Sequence, residues 1–330
     1  MHGTRAGNKK TSRGVKMDNQ RKMIKFIRDK SIVFALIALV IVMSAINRHF
    51  LTFDNIINIL VQISVYGVVA FAMTFAIICG EFDLSVSSTF ALSTIFFISF
   101  SNKIGIIPSI LAVLAIGCAI GLLNGLLVSK VKINAFIVTM GTMVSLKGIA
   151  LFYTNGKPIR NNEDIIYQMG NGTLFSIPYL VVIFFLVLAI SEFILKRTKF
   201  GRNIYATGGS IKVAKMAGIN VDFYKTVVFV ILGFAAAFGG IILSCRISAG
   251  SALYGADLAL SVVAAVVIGG TNLTGGKGSA LKTLIGMLVV GVLFNALTLL
   301  EVQAYYQEVI KGIILMLVVS LDSYYAKSEG

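Results

Sequence analysis

The side chains able to do covalent or metal chemistry are few in this chain. Histidine occurs twice, as His2 and His49, and cysteine three times, as Cys79, Cys118 and Cys245, with no Cys-x-x-Cys spacing. No His-Glu-x-x-His motif and no nucleophile elbow is present, so a zinc site or a His-based catalytic site has nothing to be built from. No catalytic residue and no metal ligand is assigned, and an enzyme is not expected. The run from Gly269 to Gly278 invites a phosphate-loop reading. That motif needs glycine where Thr271 stands and Ser or Thr where Gly278 stands, so the chain carries no nucleotide-binding loop of this kind. If ATP drives the work of this chain, the nucleotide is bound by a separate ATPase subunit.

What remains is hydrogen bonding inside apolar surroundings. Gln62, Ser64, Thr74, Asn124, Thr139, Thr142 and Asn295 punctuate apolar stretches. Each is able to bind a neutral hydroxyl-rich solute or to be satisfied by a neighbouring helix. Asn124 and Asn295 stand out because a buried amide needs several partners. The few charges in apolar stretches, Lys147, Glu192 and Glu308 with Lys311, sit near the ends of those stretches or pair at i, i+3. No acid is placed near mid-membrane, where an ion-coupled carrier would put one.

The elements that position these residues follow from charge and hydropathy. The chain has 330 residues and a formal charge of +15, with 57% hydrophobic and 13% charged residues, and its mean hydropathy is +0.90. That is the composition of a polytopic membrane protein. Residues 1–30 hold ten Lys or Arg against two acids, and residues 196–225 hold seven against Asp222 alone. Basic residues collect in cytoplasmic loops, so an even number of crossings must separate the two islands. A nucleic-acid reading of the basic charge lacks a soluble domain to carry it, so nucleic acid is not expected as a partner; anionic membrane lipid is.

Stretches of about twenty apolar residues predict an all-α protein of about ten transmembrane helices: 31–46, 56–79, 86–101, 106–129, 133–153, 177–195, 226–244, a short 258–269, 280–300 and 305–321. Six precede the second basic island, which satisfies the parity and places both termini in the cytoplasm, with the loop 154–176 outside. The predicted organisation is a basic cytoplasmic tail (1–30), a transmembrane domain (31–322) with a cytoplasmic loop (196–225), and a short cytoplasmic tail (323–330). The tail of polar residues before the first apolar run has no clear small-residue cleavage site, so it is not read as a secretory signal.

Four stretches resemble the monosaccharide-type permeases of bacterial ABC importers, the ribose type most closely. They are Gly80 to Ser88, Leu123 to Val128 running on to Phe136–Met143 and Gly148–Ala150, Thr198 to Gly209 continuing to Ala214–Ile219, and Ala264 to Leu273 with Gly275–Gly278 and Thr283–Gly286. The resemblance implies the translocation path for a monosaccharide such as ribose, in a bacterial cytoplasmic membrane. It also implies a cytoplasmic ABC ATPase subunit, an external sugar-binding protein and a second permease subunit, as homodimer or heterodimer. Gly208, Gly209, Lys212, Ala214 and Gly218 fall in the loop that docks on the ATPase in that family; Lys212 and Val213 stand where an acidic residue and an alanine are usual. Nucleosides or autoinducer-2 as cargo, and an ion-coupled secondary transporter of a small polar solute, are the alternatives.

The sequence Ile78-Cys79-Gly80 followed by Asp83-Leu84-Ser85 is echoed by Ile268-Gly269-Gly270 followed by Asn272-Leu273-Thr274, a duplicated break or a coincidence. Helix breaks at membrane depth are tolerated only beside protein or water. Asp83, Ser85, Asn272 and Thr274 therefore join Asn124, Thr139, Thr142 and Asn295 as candidates for lining the path.

Overall fold

Thr52 caps the helix that anchors the architecture: its hydroxyl accepts from Asn55 N, and α2 then runs from Phe53 to Ile78, preceded by α1 (Ile32–Ile46). The computed structural model describes residues 32–161, 164–303, 305–310, 312, 313 and 316. The predicted tails, Lys311 of the Glu308–Lys311 pair and residues 317–321 of the tenth crossing lie outside the described residues.

Further helices are α3 (Val86–Ile104), α4 (Ile106–Ser129), α5 (Ala135–Thr154), α6 (Asp164–Asn171), α7 (Tyr179–Arg197), α8 (Lys199–Gly209), α9 (Ile211–Met216), α10 (Val221–Ile247), α11 (Leu258–Ile268) and α12 (Ala280–Leu299). Residues 305–310 form α13. Side chains that cannot sit in lipid mark the starts: Asn134, Thr198, Ser210, Asn220 and Ser279 each accept a backbone N–H at the head of α5, α8, α9, α10 and α12.

Among the described residues α2, α4, α5, α7, α10 and α12 are long and apolar enough to cross a membrane. The other predicted crossings fall short of that measure or lie partly outside the described residues. The third predicted crossing, α3, is long enough but rich in Ser and Thr. The bundle buries it on nearly every side, and Ser93, Thr94 and Ser101 bond back into the helix, Ser93 to Thr89 O at 2.7 Å. The eighth, α11, has 11 residues.

Packing centres on α10, which contacts α2, α3 and α4. Gly117, Gly121 and Gly125 recur every fourth residue on α4 and meet the α10 backbone at Gly233, Phe229 and Thr226, so these two helices touch backbone to backbone. Phe184 of α7 fills the notch at Gly67 of α2 and lies 5.1 Å, centroid to centroid, from Phe71.

The two ends of the bundle are distinct. At one, the α2–α3 break, the α4–α5 turn, α8, α9 and the α11–α12 connection meet. At the other, the predicted outer loop is not irregular. Strand β1 (Ile159–Arg160) pairs with β4 (Ala249–Gly250), and β2 (Thr173–Leu174) with β3 (Ile177–Pro178), both antiparallel. Asn161, expected at an exposed loop position, is instead buried, donating to Ser101 Oγ at 3.1 Å and Asn102 Oδ1 at 2.5 Å.

Candidate functional site

Four of the eight predicted path residues come together at the α2–α3 break. Asp83 Oδ1 accepts from Ser85 N at 2.7 Å and Ser85 Oγ at 2.6 Å. Asn124 of α4 donates to Ser85 Oγ at 2.9 Å, and its carbonyl accepts from Thr142 Oγ1 of α5 at 2.7 Å. Asp83, Ser85 and Asn124 are essentially inaccessible. Both ends of the amide are used, so this network closes three elements on one another; it does not present free donors to a solute. An ion pair between Glu81 and Lys225 ties the same break to α10, and Lys132 with Asp222, 2.5 Å apart, ties the α4–α5 turn to it.

The Asp83→Ala variant removes the acceptor that organises this chain of buried hydroxyl and amide groups. We expect a loss of about 1–3 kcal/mol, read as a lower melting temperature of the purified chain in detergent. Asp83→Asn, which keeps an acceptor oxygen, is expected to fall between the two. An Asp83→Ala melt coincident with wild type would show that the network holds nothing.

The other four predicted path residues separate. Thr139 is buried and donates to Ala135 O of its own helix at 2.8 Å. Asn272 and Thr274 form a surface turn, with Asn272 Oδ1 accepting from Thr274 N at 3.0 Å and Thr274 Oγ1 at 2.9 Å. Asn295 lies at the opposite end of the bundle in a reciprocal amide pair with Asn55, at 2.7 and 3.0 Å.

The echoed sequence at the two breaks has one geometry. Gly80 (φ +82°) and Gly270 (φ +93°) both take the left-handed conformation. Each donates to the carbonyl three residues back, Ile77 at 3.0 Å and Val267 at 2.8 Å, and the next residue bonds five back, to Ala76 and Val266. This is a Schellman stop, followed in both by an Asx turn, Asp83–Ser85 or Asn272–Thr274. The copies differ in burial: the acid copy is sealed under α4, and the amide copy faces outward.

Both breaks meet α8 at Gly208. Gly276 N donates to Ile78 O at 2.8 Å, and a side chain at Gly208 would run into Ile78 O and lie 2.8 Å from Gly276 N. Tyr205 Oη adds a bond to Gly278 O at 2.7 Å. Beyond the junction, α9 buries Ala214 and exposes Val213 and Met216, with Lys212 and Lys215 also exposed. Gly209 and Gly218 have open space where a Cβ would stand; Gly218 carries a positive φ of 75°.

A polar cavity that the sequence reading did not assemble opens at the opposite end. Its volume is about 520 Å³, and Asn55, Asn58, Gln62, Tyr66, Arg246 and Asn295 are among its lining. A smaller adjoining pocket of about 140 Å³ shares Gln62 and Tyr66 and reaches Ser261 and Gln307. The signal was present as spacing: positions 55, 58, 62 and 66 fall on one face of α2.

A helical bundle with six apolar spans among the described residues and polar side chains at helix breaks has the form of a multi-pass membrane permease. The chain belongs to the family described as branched-chain amino acid transport system / permease component, which it matches over residues 55–319. Among curated relatives, it is 41% identical to the ribose import permease protein of Haemophilus influenzae, over 91% of this chain and 94% of that one. It is 40% identical to the ribose import permease protein of Bacillus subtilis, over 87% and 90%. It is also 34% identical to an L-arabinose ABC transporter permease protein of Azospirillum brasilense, over 91% and 89%. No solved structure matches the chain significantly.

Proposed function

We propose that this chain is the membrane-spanning permease subunit of an ATP-binding cassette importer for a neutral monosaccharide of the ribose kind. The relatives named for ribose and for L-arabinose, both aldopentoses, support the cargo class. The observation that carries the ATP-driven part is the junction at Gly208. There α8, whose Gly208 packs on both helix breaks, leads through Ser210 into α9, a short helix with an exposed apolar and basic face, Val213, Met216, Lys212 and Lys215. A separate ATPase docked on α9 would move those breaks through α8, as rigid elements rather than as a loop. In this reading the chain binds no nucleotide itself. It pairs with a second permease subunit and receives sugar from an external binding protein. About ten helices cross a bacterial cytoplasmic membrane, with α8, α9 and both termini inside.

Two measurements test this. Affinity purification from native membranes is expected to bring down an ATPase and a sugar-binding protein, and the reconstituted assembly to take up D-ribose only with ATP. Uptake by the chain alone in liposomes would establish a secondary carrier instead. For the topology, Lys212→Cys and Lys157→Cys, both at exposed positions, are expected to label from opposite faces of the membrane, Lys212 from the ATPase face. Labelling from the same face would break the arrangement.

A further inference from the structure

We infer that the cavity between α2, α10 and α12 is a binding site for the sugar in transit, with Arg246 and Gln62 as its specificity-determining side chains. The inference rests on the chain being the sugar-conducting subunit. Asn55, Asn58, Gln62 and Tyr66 carry the polar face of α2 inward from its first turn, a depth of about 16 Å at 1.5 Å per residue. At about 520 Å³ the cavity is within the range of small-molecule sites, roughly 300–1,000 Å³. Its inner end is closed by apolar packing: Ile63, Val262 and Met287 line the adjoining pocket and all three are buried. Farther along, Thr74 and Thr283 join α2 to α12 through their hydroxyls at 2.7 Å. The result is a vestibule open at one end and blocked at the other.

The chemistry of the lining selects the ligand. Asn55 and Asn295 satisfy each other and form a fixed wall. The ion pairs among the described residues are Lys132–Asp222, Lys196–Glu192 and Lys225–Glu81, so half-buried Arg246 has no carboxylate partner there. A guanidinium presents several N–H groups in a fixed fork, which spans two adjacent hydroxyl oxygens. Asn58 and Gln62 each offer both a donor and an acceptor to further hydroxyls, and the Tyr66 ring supplies an apolar face for the sugar's C–H side. A neutral polyhydroxylated ring uses all of these. An anionic sugar acid would add a carboxylate to pair with the guanidinium, and gluconate is therefore the competing ligand in the test.

The test places a reporter cysteine at Thr298, an exposed residue on the cavity lining, in the complete importer. Cys118 is replaced by Ser, while Cys79 and Cys245 are buried. D-Ribose and L-arabinose are expected to slow thiol labelling of that cysteine. Arg246→Ala and Gln62→Ala are each expected to raise the half-protecting concentration at least about tenfold, the usual consequence of losing hydrogen bonds to or around a charged donor. Melting temperature separates this from misfolding, and Gln62→Ala, which removes no side-chain hydrogen bond seen among the described residues, carries the test should Arg246→Ala fail to fold. Labelling indifferent to both sugars, protection that survives both variants, or protection by gluconate alone would overturn the assignment. D-Ribose uptake by the unmodified importer keeps the two levels apart: uptake without protection sinks the site alone, and absent uptake sinks the transport reading beneath it.

Discussion

Gly121→Leu is expected to leave no assembled permease. A Cβ at Gly121 would collide with the carbonyl of Phe229, and one at Gly117 would stand 2.5 Å from Gly233 O; Gly233 in turn faces the Gly117 carbonyl. These are backbone atoms of two helices, so no rotamer change relieves the overlap. The helices must separate, and α10 cannot move without leaving α2 and α3, which it also packs against. In lipid, close approach of backbones is itself the driving force of association, because hydrocarbon offers no hydrophobic incentive to pair. Overpacking of an adaptable core costs about 1–3 kcal/mol, and this site lacks that adaptability. The check is the yield of monodisperse chain by fluorescence-detected size exclusion. Gly141→Leu on α5, where a Cβ meets open space, is the matched control expected to retain wild-type yield. Equal yields from the two variants would show that the α4–α10 contact is dispensable.

How much of this was legible beforehand depends on whether the partner was local. Helix boundaries were: the fourth apolar stretch ends where α4 ends, because Lys130 and Lys132 cannot continue into lipid, and the short eighth stretch is the short α11. The repeated Gly-x-x-Asp-x-Ser and Gly-x-Asn-x-Thr patterns were visible, and both form the same stop and turn, since that geometry needs only residues within a few positions. Which copy would be sealed was not visible. Asp83 and Asn272 differ in burial because α4 supplies Asn124 to one and nothing equivalent to the other, a matter of tertiary placement. The same limit applies to Asn161: the loop 154–176 was legible as an outer loop, but its burial depends on Ser101 and Asn102, about sixty positions away. The cavity was missed for a different reason. Asn55 and Asn58 lie at the start of an apolar run and read as boundary residues, although with Gln62 and Tyr66 they mark one helical face.

Gly208→Ala is expected to uncouple sugar uptake from ATP hydrolysis while leaving the importer assembled. Among the candidate coupling residues, sequence pattern gave Gly208, Gly209 and Gly218 equal standing, and packing separates them. A Cβ at Gly209 would meet nothing within 4 Å and its φ is not positive, so Gly209→Ala should behave as wild type. Gly218 needs its left-handed φ but faces open space; a side chain there costs about 1–2 kcal/mol of local strain and leaves the junction intact. At Gly208 even a methyl group meets the carbonyl that ends α2 and the amide of Gly276 that bonds to it. Relief requires α8 to lift from both breaks, which opens a gap between the ATPase-facing helix and the elements it is meant to move. A coupling free energy of about 1–3 kcal/mol corresponds to 5–150-fold, so sugar transported per ATP hydrolysed should fall within that span. Co-purification of the ATPase should be unchanged, because the outward residues of α9 are untouched. A Gly208→Ala importer with the wild-type transport ratio would mean that force reaches the bundle by another route, and the ion pair joining Glu81 of the first break to Lys225 of α10 would be the place to look.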